Sequence, residues 1–201
     1  MAEFALNGYK LLGGGSKESR IENDYYATNP KAVKMLLERY ELKADTILEP
    51  CVGEGHIAKA VKEFYGNKEV VGIDIVDRGY PGTITCDFLK WDPDREYMSI
   101  ITNPPYSLAQ EFTERCMEIL GEGGQLCQFL RIQFLETVRR KALFEKYPPK
   151  YVYVFSKRMP VLENGLELNP KTGKPWTGTL ICNAWFIWEK GSRTETVIRW
   201  L

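Results

Sequence analysis

Four short apolar runs in the first half of the chain each end in a polar or acidic residue, and this repeated strand-end pattern most restricts the fold. Thr46-Ile-Leu-Glu49 ends in an acid, runs into Pro50-Cys-Val-Gly53-Glu-Gly55, and continues as an amphipathic helix from His56 to about Phe64. Glu69-Val-Val-Gly-Ile73 ends at Asp74, Thr83-Ile-Thr85 ends at Cys86-Asp87-Phe88, and Met98-Ser-Ile-Ile-Thr102 ends at Asn103. Strand, glycine-rich turn and helix in that order build open α/β sheets, whose ligands sit in the crevice outside the carboxyl ends of the strands. Glu49, Asp74, Asp87 and Asn103 are therefore expected to face one crevice.

The chemistry of that crevice follows from the residue types. Glycines let the turn approach a ligand closely, and the following helix N-terminus adds partial positive charge. Yet there is no Gly-x-Gly-x-x-Gly, and Glu49 would repel a pyrophosphate, so the ligand there should be cationic or at least not anionic. A carboxylate at Asp74 could accept both hydroxyls of a ribose. After the fourth run, Asn103-Pro104-Pro105-Tyr106 forms a stiff turn, because two prolines fix φ and remove two backbone donors. The Asn oxygen and a neighbouring carbonyl can accept from one NH2, while the Tyr ring offers a stacking surface for a planar base or amide. An ordinary Asn-Pro turn with an aromatic lid would have the same composition.

With these residues in place, the chain resembles the S-adenosylmethionine-dependent methyltransferases, and within them the adenine-N6 DNA methyltransferases that carry an Asn-Pro-Pro-Tyr motif. The resemblance covers roughly residues 24 to 135. Tyr26-Ala-Thr28-Asn-Pro30 is similar to the family's amino-terminal cofactor motif, Tyr-x-Thr-Pro, with an Asn inserted before the Pro. Glu49-Pro50-x-x-Gly53-x-Gly55 matches its first cofactor loop. Asp74 falls where the family places the ribose-binding acid, Asp87 and Phe88 where it contacts the cofactor adenine, and Asn103, Pro104, Pro105 and Tyr106 where it places the catalytic motif, Asn103 also bordering the cofactor. The implied fold is α/β and Rossmann-like: a mostly parallel seven-stranded sheet with an antiparallel last strand and helices on both faces. The implied cofactor is S-adenosyl-L-methionine, with no metal.

Composition sets the remaining bounds. The 201 residues, 44% hydrophobic, can bury one real core but hardly two, so residues 21–201 are expected to form a single domain after a flexible segment 1–20. Lys plus Arg equals Asp plus Glu at 27 each, so nucleic acid must be recruited by a local patch. The five Cys lack Cys-x-x-Cys spacing and there is a single His, which suggests reduced core thiols in a cytoplasmic protein and no zinc set. No apolar run reaches membrane length. The oligomeric state is not legible.

Elsewhere, Leu11-Leu-Gly13-Gly-Gly-Ser16 lacks the context of a phosphate loop and reads as a linker. Asn29 is expected to cap a helix opened by Pro30, with Val33, Leu36, Leu37 and Tyr40 as its apolar stripe. Ser107-x-x-Gln110 reads as a capping box for a helix reaching about Leu120 and ended by Gly121 or Gly123-Gly124. Gln125 to Leu130, Tyr151 to Phe155 and Ala184 to Trp188 read as the last three strands, with Trp185, Phe186 and Trp188 in the core. Residues 156–180 carry Lys157, Arg158, Lys171, Lys174 and Trp176 among Pro and Gly turns. A solvated loop explains these charges; a groove pairing phosphates with basic side chains and bases with an aromatic explains them equally. Arg131 is placed on the same substrate side, and Arg139-Arg-Lys141 is a further candidate contact. His56 opens its helix as a cap or a cofactor neighbour, and Cys51 has no resolving partner that would make it a nucleophile.

Three functions remain compatible with the sequence: methylation of adenine N6 in DNA, methylation of another planar NH2 such as an RNA adenine or a protein glutamine amide, and ligand binding without turnover.

Overall fold

The computed structural model describes residues 26–157, 159, 162–163, 168, 172–174 and 181–201. The segment 1–20, with its Gly-rich run, lies outside the described residues. In chain order the elements are β1 (Tyr26–Ala27), α1 (Pro30–Leu37), β2 (Thr46–Glu49), α2 (His56–Tyr65), β3 (Glu69–Asp74), β4 (Ile84–Thr85), β5 (Tyr97–Thr102), α3 (Ala109–Ile119), β6 (Leu120–Arg131), α4 (Val138–Lys146), β7 (Tyr151–Val154), β8 (Leu162–Glu163), β9 (Asn183–Glu189) and β10 (Val197–Trp200). The main sheet runs β10-β7-β9-β6-β5-β2-β3-β4. All pairs are parallel except those of β9, which lies antiparallel between β6 and β7.

All seven expected strands are in this sheet, the antiparallel one included, and β10 adds an eighth. Central strands are covered by helices on both faces and so read as continuous apolar runs: β9 is buried from Asn183 through Trp188. β10 pairs with β7 along one edge only, and all four of its residues are exposed, so no burial pattern marks it in the sequence.

Two cores form on the two faces. On one, α1 and α2 cover Ile47, Phe129, Trp185 and Ile187; on the other, Phe112 and Cys116 of α3 and Leu143 of α4 cover Leu48, Ile100, Leu126, Phe186 and Trp188. Asn29 caps α1 as its residue type predicts, its side chain accepting from the Lys31 N–H at 3.0 Å. The Trp185 indole donates to the Ala32 carbonyl at 3.0 Å, which pins α1 across the sheet.

The helix after Asn103 starts differently from expectation. Pro105 accepts the Leu108 N–H at 2.9 Å, closing a 3-10 turn over Tyr106–Leu108, and α3 begins only at Ala109 with no side-chain cap. Gln110 donates forward to Glu114 at 3.1 Å, so no Ser107–Gln110 capping box exists. Nor does a glycine end the helix. Leu120 turns extended directly after Ile119 (φ −62°, ψ 136°), and Gly121, Gly123 and Gly124 lie within β6.

Candidate active site

From β2 the chain moves outward through β3 and β4, then returns to β5 on the other side of β2 and proceeds to β6. The direction of winding therefore reverses between β2 and β5, and a crevice opens outside their carboxyl ends. Leu48 of β2 registers with Ile100 of β5, which sets Glu49 and the 50–55 turn beside the Asn103 turn. Cys51 of that turn lies against Thr102; burial and the neighbouring Asp74 carboxylate push its thiol well above the ordinary range, which keeps it a neutral packing group.

Asp74 organises the turn. One carboxylate oxygen accepts the Gly53 N–H at 2.8 Å and the other accepts the Val76 N–H at 3.1 Å. Gly53 has φ 53° and Gly55 φ 80°, left-handed backbone that favours glycine. At Gly55 there is a second reason. A Cβ there would overlap the ring of Tyr80, a side chain only 5% exposed. Gly55→Ala is accordingly expected to destabilise the fold by about 1–3 kcal/mol through overpacking, with roughly 1–2 kcal/mol more for the left-handed backbone. A urea-unfolding midpoint equal to that of the parent would contradict this packing.

Glu49 is 1% exposed, and its Oε2 has no hydrogen-bond partner among the described residues. Burial pushes its carboxyl well above the usual range; a hydrogen bond from the Ala58 backbone opposes this, and the nearby Asp74 charge adds to it. A buried carboxyl with one open oxygen suits a ligand that brings a donor or a positive charge. Thr28, 2% exposed, likewise has a hydroxyl without a partner among the described residues, while Tyr26 pairs with Glu163 through β1 and β8. His56 has an acid neighbour two positions away in the sequence: Glu54 Oε2 lies 3.9 Å from Nε2. Asp87 accepts the Leu89 N–H at 3.1 Å and pairs with Lys90 at 3.2 Å. The Phe88 ring, 3% exposed, stacks on Phe112 with centroids 5.1 Å apart, so this side chain belongs to the core beneath α3.

At the Asn103 turn, Asn103 and Tyr106 are half-buried, Pro104 is buried and Pro105 exposed. The Tyr106 hydroxyl reaches Asn183 Oδ1 at 3.4 Å, and the Arg131 guanidinium lies 4.5 Å from the Tyr106 ring centroid. Arg131 ends β6 and Asn183 opens β9, and the two are register partners. Thus three adjacent strand ends converge on Tyr106. Arg131, expected on the substrate side, lies against Tyr106, while Asn183 and Tyr80, which the sequence did not single out, pack beside the Asn103 and β2 turns. The only signal for Asn183 is a polar residue opening the apolar run 184–188.

The basic segment is less unified. Lys157 and Lys174 are exposed, while Arg158, Lys171 and Trp176 lie outside the described residues. Met159 and Leu162 are 8% and 3% exposed, so part of this segment packs onto the domain. Arg139 pairs with Glu111 at 2.7 Å, Lys141 with Glu145 at 3.6 Å, and Arg140 donates to the Gln133 carbonyl at 2.9 Å, which favours the structural reading of that cluster. Among the described residues no group of three or more His, Cys, Asp or Glu is placed to hold a metal, and no helix is long and apolar enough to cross a membrane.

No family profile matches the chain. It is 30% identical over 151 residues to the Type II methyltransferase M.CvrRI of Paramecium bursaria Chlorella virus XZ-6E, an alignment covering 61% of this chain and 40% of that protein. The chain thus spans well under half the length of that relative. Among solved structures, the type I restriction-modification system methyltransferase subunit from Streptococcus thermophilus superposes with a TM-score of 0.64 at 14% identity, covering 90% of this chain and 48% of that one. A SAM-dependent O-methyltransferase from Thermotoga maritima superposes with a TM-score of 0.56 at 13% identity, covering 85% and 69%. The fold of the chain is that of the S-adenosylmethionine-dependent methyltransferases.

Proposed function

We propose that the chain is an S-adenosylmethionine-dependent methyltransferase that acts in the cytoplasm on the N6 amino group of adenine in DNA. The observation that carries this reading is the Asn103–Tyr106 turn at the end of β5, beside the β2 turn at the point where the sheet's winding reverses. Residues at the β2 and β3 ends fit the cofactor: Gly53 and Gly55 keep the turn close to the crevice, Asp74 faces it with a carboxylate, and Glu49 holds a buried oxygen without a partner. When bound, S-adenosylmethionine supplies an already activated methyl group on a positively charged sulfur. What remains for the protein is to place the acceptor nitrogen and stabilise its developing charge.

Adenine's amino group is a poor nucleophile because its lone pair is drawn into the ring. Acceptance of its two N–H bonds by the Asn103 side chain and the Pro104 carbonyl would favour a tetrahedral nitrogen and disperse positive charge as it forms, since preorganised dipoles act most strongly in a dry crevice. Tyr106 would stack the base swung out of the helix. Lys157 and Lys174, both exposed, support assigning the 156–180 segment to the nucleic-acid backbone. Transfer of labelled methyl groups from S-adenosylmethionine to duplex DNA, single-stranded DNA, RNA and protein, measured side by side, tests the assignment. Incorporation into adenine-containing DNA is expected. Incorporation confined to RNA or protein would move the same turn to another planar NH2, and none anywhere would contradict the reading.

A further inference from the structure

We propose that Asn183, with Arg131 behind it, reads an acceptor nitrogen on the edge of the stacked base and so selects which ring can enter the site. This rests on the adenine reading above and adds a residue to it.

Asn183 is 4% exposed and opens β9, where a central strand would ordinarily carry an apolar side chain. In the structure the Tyr106 hydroxyl donates to Asn183 Oδ1 at 3.4 Å, which leaves the Nδ2 hydrogens for another partner. No such partner exists among the described residues. Arg131, the register partner of Asn183, is in the same condition, because its Nε is buried and has no partner there while the guanidinium covers the Tyr106 ring. Two buried donors without acceptors thus flank the ring on which the base would stack. Buried unsatisfied donors are costly, and they persist where a ligand satisfies them.

The missing ligand is therefore an acceptor. Asn103 and Pro104 take the amino group as acceptors, so a ring that presents NH2 beside an unprotonated ring nitrogen matches both halves of the site. Guanine would be rejected at either edge: at N1 it sets an N–H against a donor, and beside N7 it offers O6 rather than NH2 to the acceptors Asn103 and Pro104. Discrimination by a buried hydrogen-bonding group exceeds what shape alone provides.

The test pairs residue with atom. Single-turnover methyl transfer is measured on duplexes in which the target adenine has N1 or N7 replaced by CH, using wild type, Asn183→Ala and Asn183→Asp, with cofactor binding alongside. Asn183→Asp keeps an acceptor for Tyr106 but replaces the donor with a carboxylate oxygen and a charge, so it should be at least as impaired as Asn183→Ala. Wild type should lose roughly tenfold to a hundredfold on one of the two analogues. Both variants should lose at least a similar factor on normal adenine, bind the cofactor as wild type does, and show no further loss on that analogue. Equal analogue penalties in wild type and variants would overturn the proposal while leaving the adenine assignment standing. A wild type inactive on the unmodified duplex would overturn the adenine assignment and this proposal together.

Discussion

Asn103→Ala is expected to leave folding and S-adenosylmethionine affinity nearly unchanged while cutting methyl transfer by about a hundredfold to a thousandfold, the usual cost of removing one preorganised polar group aimed at developing charge. The side chain is half-buried at the mouth of the crevice, and the turn that carries it keeps its own closure through Pro105 and Leu108. Stability should therefore survive the truncation. Tyr106→Ala should differ in kind. It removes a stacking surface worth about 1–3 kcal/mol per base, so the base is bound less tightly as well as turned over more slowly. Its loss also frees Arg131 and Asn183 from their shared partner. Single-turnover rates beside substrate and cofactor affinities separate the two variants; an Asn103→Ala protein transferring at the parental rate would displace the chemistry from this turn.

The second large effect is expected at Asp74. Its carboxylate holds the Gly53 and Val76 amides, so Asp74→Ala removes the brace of the β2 turn and, in the proposed site, the acceptor for the cofactor ribose. Hydrogen bonds to a charged acceptor are worth roughly 1.5–3 kcal/mol, or about tenfold to a hundredfold in affinity. With two functions lost at once, cofactor affinity should fall by at least that factor. Calorimetric titration with S-adenosylmethionine measures it directly. Undiminished binding would place the cofactor outside this turn.

The physical basis of these effects was unevenly legible in the sequence. Strand ends were readable because buried parallel strands are continuous apolar runs, and a polar residue closing such a run is conspicuous. The α1 cap was readable because Asn before Pro satisfies a local rule that tertiary structure had no reason to override. Local rules failed where backbone geometry had a competing solution. Ser107 and Gln110 have the spacing of a capping box, but the preceding prolines favour the 3-10 turn closed by Pro105, and the helix starts later. Gly121 and Gly124 looked like helix terminators, yet Leu120 leaves the helix straight into a strand. β10 was invisible because an exposed edge strand has no burial periodicity.

In the site, residue types were legible and their present partners were not. Asp74 was readable as a carboxylate facing the crevice, whereas its grip on the Gly53 amide depends on how β2 and β3 align. Gly55 was expected to admit a ligand; in the structure the Tyr80 ring packs against it, and that ring comes from a loop with no pattern to announce it. Asn183 lies 80 positions beyond Asn103 in the sequence, and only the antiparallel placement of β9 against β6 brings it to Tyr106.

In the proposed reaction the Asn103 turn places the exocyclic nitrogen of adenine to take the methyl group of S-adenosylmethionine. The most direct measurement is to incubate adenine-containing DNA with the protein and labelled S-adenosylmethionine, digest the DNA to nucleosides, and identify the labelled product by mass spectrometry. Label is expected in N6-methyldeoxyadenosine with wild type and is expected to be nearly absent with Asn103→Ala. Label on a cytosine, or adenine methylation undiminished in Asn103→Ala, would contradict it.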